Sequence, residues 1–179
     1  MKRLPSKLLS RLANIKLFIC DVDGVLTDGA IYIGGTREIK RFSIHDGLGL
    51  VLLRRAGIKI AWVSSRPSLA TTMRARELKI TFLVQQKDQL SKAAAIEAIL
   101  TREKLQWENV CYIGDDIVDL APLEKAGVGA AVADAVAEAK AAADMVTRAA
   151  GGHGAVREMV ELILKAQGKW DSIIAGYRK

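Results

Sequence analysis

The stretch Leu17-Phe18-Ile19-Cys20-Asp21-Val22-Asp23-Gly24-Val25-Leu26-Thr27 decides the fold. Its first four residues are a short, continuous apolar run with no polar alternation. Such a run suits a strand covered on both faces. Two carboxylates, Asp21 and Asp23, follow at once. Charges at the end of a buried strand are costly unless a metal, a cation or hydrogen-bond donors meet them. Gly24 lets the chain turn where a side chain would crowd it. Taken alone, an Asp-x-Asp pair also describes a simple acidic turn, so the rest of the chain must decide.

Runs of the same kind recur at 58–63, 81–84, 110–113 and 128–132. Between them lie segments of helical period at about 46–56, 67–78, 91–104, 119–126 and 135–143. Asp46, Ser91 and Asp134 read as helix caps, and Pro67 suits a first turn. Strands alternating with helices predict an α/β fold, a three-layer, Rossmann-like parallel sheet with helices on both faces. Residues 29–44 break the rhythm. They read as a β-hairpin around Gly34-Gly35, with the alternation Ile31, Ile33 and then Ile39, Arg41, Ser43, projecting from the carboxyl end of the first strand. Gly151-Gly152-His153-Gly154 opens an amphipathic helix bearing Val156, Met159, Val160, Leu162 and Ile163. The tail 168–179 carries Trp170, Ile173, Ile174 and Tyr177, which suggests docking on its own domain or on another subunit.

The 179 residues suit a single domain, with 1–15 as a basic N-terminal extension. Half the chain is hydrophobic and 26% is charged, which excludes global disorder. No apolar run approaches the ~20 residues of a membrane helix. The cationic N-terminus lacks the apolar stretch of a secretory signal, so a cytoplasmic protein is expected. Cys20 and Cys111 match no zinc or redox spacing and read as buried, reduced thiols. The charge is 27 − 20 = +7, which permits anionic partners. The cations are not gathered in one block, and aromatics are only 5%, so a base-stacking nucleic-acid surface is poorly supplied. The N-terminal cations read as a solvated helix face.

A second acidic cluster, Gly114-Asp115-Asp116-Ile117-Val118-Asp119, follows the 110–113 run. In a doubly wound sheet it shares one edge with Asp21 and Asp23. Several carboxylates in one cleft repel each other unless a divalent cation is present, and an all-oxygen set favours Mg²⁺. Ser64-Ser65-Arg66 follows another strand at a helix start, where hydroxyl and amide groups bind phosphate oxygens. Lys92 opens the next long helix and offers a point charge. Carboxylates, Mg²⁺, serine and lysine together suit phosphoryl transfer. No Walker lysine motif occurs, and no G-x-G-x-x-G follows a strand.

The order D-x-D-G-x-L-T, then a serine after a strand, a lysine, and G-D-D-x-x-D resembles the haloacid dehalogenase superfamily over essentially the whole chain. The wording CDVDGVLTDG, FSIHDGLG, YIGDDIVDL, VADA and GGHGAVRE is similar to its capless phosphatases of 3-deoxy-D-manno-octulosonate 8-phosphate. The resemblance implies no separate cap domain and an aspartyl-phosphate intermediate. It implies Asp21 as nucleophile and Asp23 as acid, then base. Mg²⁺ is then held by the Asp21 carboxylate, the Asp23 backbone carbonyl and Asp115. It implies Ser64, Ser65 and Lys92 as phosphate partners, and Arg66, Thr27 and Arg157 as candidates for the sugar acid. A homotetramer, with hairpin and tail covering a neighbour's cleft, and a place in lipopolysaccharide precursor synthesis are implied as well.

The chain departs from that pattern at several positions. Ser65 stands where glycine is usual, His153 where arginine is usual, and His45 where arginine is common. A direct match of the family's Lys-Asp-Lys run puts Gln89 at the phosphate lysine. Counting back from Gly114 gives Lys92, with Lys87 in reserve. These departures keep open a phosphatase of nine-carbon ulosonate 9-phosphates or of broad sugar phosphates. A non-catalytic binding subunit of the same fold is the further alternative.

Overall fold

The computed structural model describes residues 5–35, 37–85 and 92–178. A central sheet carries β1 (Leu17–Cys20), β4 (Lys59–Ser64), β5 (Phe82–Gln85), β6 (Val110–Gly114), β7 (Val128–Ala131) and β8 (Met145–Val146). Its strand order is β5-β4-β1-β6-β7-β8, and every pairing is parallel. Each residue of β1 is buried, as its unbroken apolar run requires. β8 follows the last expected strand and is two residues long, too short to leave a periodic trace.

Helices α1 (Ser6–Ala13), α2 (Ile44–Arg55), α3 (Leu69–Leu78) and α7 (Ala155–Ala166) pack on one face of the sheet. α4 (Lys92–Glu103), α5 (Leu120–Lys125) and α6 (Ala137–Ala142) pack on the other. This follows from right-handed crossovers: the chain moves one way from β1 to β5 and the other way from β6 to β8. β1 lies where the direction reverses, so a crevice opens at its carboxyl end. The N-terminal segment is not a free extension. α1 buries Leu8 and Leu12, and Arg11 clasps Asp144 with two hydrogen bonds of 2.7 and 2.6 Å.

Three caps differ from expectation. Ser43, not Asp46, caps α2, and Ser68 caps α3 with Pro67 outside the helix. Asp134 receives the Gly151 amide instead of capping α6. In each case a polar side chain within three residues of the expected one has the better geometry or a distant amide competes for it. Ser91, Lys87 and Gln89 lie outside the described residues.

The hairpin is present as a separate antiparallel pair, β2 (Tyr32–Gly34) with β3 (Arg37–Ile39). Its apolar residues are open to solvent, Ile33 at 77% and Ile39 at 64%. The tail forms α8 (Trp170–Gly176), which packs on α7 of its own chain. Trp170 lies beneath the Arg157 guanidinium, 5.4 Å from its ring centre, and Lys169 Nζ donates to the Ala56 carbonyl at 2.9 Å.

Candidate active site

The site is built from four strand ends. The Asp21 amide donates to the Ile113 carbonyl at 3.0 Å, so β1 stays pinned to β6 as the first carboxylate leaves the sheet. Lys92, the first residue of α4, places Nζ 2.9 Å from Asp21 Oδ1 and 2.7 Å from Asp119 Oδ1. Burial pushes Asp21 up to about 6, although Lys92 pulls it down. Burial also works against the Lys92 charge, yet Asp21 and Asp119 hold its pKa above the ordinary lysine value.

Asp119 is fully buried and its oxygens are spoken for. Oδ1 accepts from Lys92 and from the Tyr112 hydroxyl at 2.5 Å. Oδ2 accepts the amides of Asp115 and Asp116 at 2.9 and 3.2 Å. Asp21, Asp115 and Asp119 bring carboxylate oxygens within 4.8 Å of one another. Because Asp119 is saturated by donors, its role is to shape the turn and hold Lys92. Asp115 is the opposite case. Its Oδ1 is buried with no partner among the described residues. Burial, then the Asp21 and Asp119 charges, push its pKa up to about 8.

The turn after β1 is held by its own residues. The Val22 carbonyl accepts from the amides of Val25, Leu26 and Thr27. Thr27 Oγ1 accepts the amides of Gly24 and Gly29 at 3.3 and 3.2 Å. Thr27 is wholly buried, so it holds this loop together and does not reach a sugar. Gly24 has φ +87°, and a Cβ there would collide with the Asp115 carboxylate. Gly151 lies against the Gly24 carbonyl so closely that it too has no room for a side chain.

Ser64 ends β4, and its Oγ accepts the Arg66 amide at 3.1 Å. Ser65 Oγ and Arg66 Nη1 are buried donors without a partner among the described residues. Arg66 Nη2 pairs with Glu38 of the hairpin, and Ser68 Oγ donates to the same carboxylate at 2.7 Å. The Arg66 hydrogen bond leads in pulling Glu38 down to about 2. Next to it, Lys40 Nζ lies 2.6 Å from Asp23 Oδ1. Sequence reasoning missed Glu38, Lys40 and the Tyr112 hydroxyl. The first two alternate with Ile39 and Arg41, so a period-two reading of the hairpin assigns them to one shared face.

The cleft among these groups has a volume of about 210 Å³ and brings together Asp21, Asp23, Ser64, Ser65 and Lys92, with Arg66 and Asp115. A larger groove of about 580 Å³ between α2 and α8 is lined by no carboxylate among the described residues. Arg157 is not among the cleft residues; its Nε donates to Glu161 at 2.9 Å and its guanidinium covers Trp170. A helix-mate carboxylate one turn away outcompetes the expected role in the site of its own chain. His153 also turns aside, its Nδ1 2.7 Å from the Gly151 carbonyl and its Nε2 3.3 Å from Arg41. The unpartnered donors of Ser65 and Arg66 fit an anion. The unpartnered oxygen of Asp115, close to Asp21, fits a cation.

A parallel α/β sheet carrying this carboxylate pair, serine, lysine and acidic turn defines a haloacid dehalogenase-like hydrolase, and the chain matches that family over residues 86–159. It is 43% identical over 164 residues to the 3-deoxy-D-manno-octulosonate 8-phosphate phosphatase of Escherichia coli K12, covering 91% of this chain and 86% of that one. The Moraxella catarrhalis phosphatase of the same name, solved in complex with magnesium ion, phosphate ion and KDO, superimposes with a TM-score of 0.93. It shares 37% identity, over 97% of this chain and 99% of that one. The cobalt-bound Haemophilus influenzae enzyme gives 0.84 at 41% identity, over 89% and 92% of the two chains. The chain belongs to the 3-deoxy-D-manno-octulosonate 8-phosphate phosphatase family of haloacid dehalogenase-like hydrolases.

Proposed function

We infer that this chain is a Mg²⁺-dependent phosphomonoesterase that hydrolyses 3-deoxy-D-manno-octulosonate 8-phosphate to 3-deoxy-D-manno-octulosonate and phosphate. The observation that carries the reaction class is the buried Asp21 carboxylate, held 2.9 Å from Lys92 Nζ and beside the unpartnered oxygen of Asp115. A fixed nucleophile between a cation and a vacant acceptor is arranged for in-line attack on a phosphoryl group. The substrate follows from relatives that match over most of the chain.

Asp21 attacks phosphorus, and the bond from phosphorus to the sugar oxygen breaks. Asp23 delivers its proton to that oxygen, so the sugar leaves neutral. Water then attacks the aspartyl-phosphate, Asp23 takes back a proton, and Asp21 is restored with release of phosphate. Ser64 and Ser65 hydroxyls and the Lys92 ammonium hold the phosphoryl oxygens. Arg66, paired on one side with Glu38, offers Nη1 to the acidic sugar. Asp21, Asp115 and the Asp23 backbone carbonyl are the groups that would hold Mg²⁺. When bound, the ion screens the repulsion between the Asp21 carboxylate and the phosphate dianion.

The assembly belongs to the same proposal: a homotetramer in which the hairpin and tail cover a neighbour's cleft. Exposed Ile33 and Ile39 on the hairpin support it. Trp170 and Ile173 already pack on their own domain, so only the outer face of α8 remains for a neighbour. The free, buried Cys20 and Cys111 suit a reducing cytoplasm. Sedimentation giving four times the chain mass supports the assembly, and a monomer mass overturns it.

Phosphate release with Mg²⁺ from a panel tests the activity. The panel holds the octulosonate 8-phosphate, a nine-carbon ulosonate 9-phosphate and neutral sugar phosphates. The expected result is strong preference for the first, with loss of turnover in Asp21→Asn. Equal rates across the panel overturn the substrate, and activity in Asp21→Asn near the parent level overturns the nucleophile.

A further inference from the structure

The hairpin contributes more than an exposed flap, because one of its residues enters the interior. Lys40 follows β3, and its side chain is completely buried. Nζ lies 2.6 Å from the buried Asp23 Oδ1 as an ion pair without hydrogen-bond alignment, donates to Thr71 Oγ1 of α3 at 3.3 Å, and lies 3.7 Å from Glu38 Oε1. Glu38 is in turn tied to Arg66 and Ser68 on the loop that follows β4. A buried ammonium is tolerated only with partners of this kind, and removing one strands the other. Lys40 is not among the residues of the cleft, so it meets the reaction only through Asp23.

The geometry points to Lys40 as the positioning residue of the general acid–base. It clamps Oδ1 of Asp23 and leaves Oδ2 to exchange the proton with the leaving sugar oxygen and later with water. Asp23 sits on a turn with a glycine at the next position, and its side chain is 24% exposed. Without the clamp the carboxylate can rotate toward solvent, and proton delivery loses its alignment. Thr71 and Glu38 fix the lysine head on two further sides, so the clamp is itself held. This inference rests on the phosphatase reading above, and adds that the hairpin completes the catalytic set of its own chain.

The test separates proton delivery from every other step by the choice of leaving group. A sugar alkoxide needs a proton as it leaves, whereas 2,4-dinitrophenolate leaves without one. The constant kcat/KM reports only steps through formation of the aspartyl-phosphate, so it excludes the later hydrolysis. In Lys40→Met, kcat/KM on the octulosonate phosphate should fall about 30-fold or more. On 2,4-dinitrophenyl phosphate it should fall less than about threefold, with Mg²⁺ saturating in both assays. Lys40→Arg keeps a donor within reach of Asp23 and should recover most of the loss on the sugar phosphate. Lys40→Gln, which keeps a polar head near Thr71 and Glu38 without the charge, serves as the reporter if Lys40→Met does not fold, through the same comparison of leaving groups. Equal losses on the two substrates in Lys40→Met, or in Lys40→Gln if that alone folds, would overturn the inference, since a structural role lowers both together. Absence of turnover of either substrate by the parent protein would instead overturn the phosphatase reading and this inference with it.

Discussion

Asp46 caps a helix that starts more than a hundred residues later in the chain. Its Oδ1 accepts the amide of Arg157 at 2.7 Å, and its Oδ2 accepts that of Gly154 at 3.1 Å. Asp46 lies in the first turn of α2, and Gly154 immediately precedes α7. The two helices are thereby joined beneath the 151–154 loop, which rests on the turn of Gly24. Burial raises the Asp46 pKa, while the two amides work against that rise. In Asp46→Ala both amides lose their acceptor inside the protein. Urea unfolding should show a loss of about 2 kcal/mol. A loss below about 0.5 kcal/mol, the level of an ordinary surface change, would contradict the assignment.

The metal-free site should make stability fall as pH rises. Asp115 is pushed up to about 8 and Asp21 to about 6, both chiefly by burial. A carboxyl whose folded pKa is raised binds its proton more tightly in the folded state. The stability it contributes is complete below its unfolded pKa near 4 and is lost as pH rises through the folded value. In EDTA, Asp115→Asn should therefore gain on the parent between pH 5 and 8, by about 5 °C in Tm at the upper end. Saturating Mg²⁺ should abolish the gap by binding the ionised carboxylates of the parent. Melting curves at four pH values, with and without Mg²⁺, decide it. A gap independent of pH speaks against the buried charge as its cause.

Gly24 separates cation binding from folding in a different way. Its φ of +87° and the Asp115 carboxylate above it leave no space for a methyl group. Gly24→Ala should displace that carboxylate and weaken Mg²⁺ binding at least about tenfold by calorimetry, because an oxygen ligand moves out of place. Its left-handed backbone should also cost about 1 kcal/mol in unfolding measurements. Unchanged Mg²⁺ affinity would show that Asp115 is not held where Gly24 requires.

Much of this protein is written locally. Apolar runs such as Leu17–Cys20 specify buried strands because a strand covered on both faces has no use for a polar side chain. Asp21, Asp23 and Asp115 were legible because each follows such a run, and parallel crossovers bring their carboxyl ends to one edge. Ser64 and Lys92 could be read at the joints between strand and helix for the same reason. Tertiary structure decided which polar groups answer these. Lys40 meets Asp23 across the curl of the hairpin, and Asp46 meets Arg157 across two helices. It also turned Arg157 toward Glu161 and sealed Thr27 inside its loop. Periodicity reports the burial of one element's face, whereas a buried charge is satisfied by whichever donor or acceptor the folded chain brings within hydrogen-bond reach.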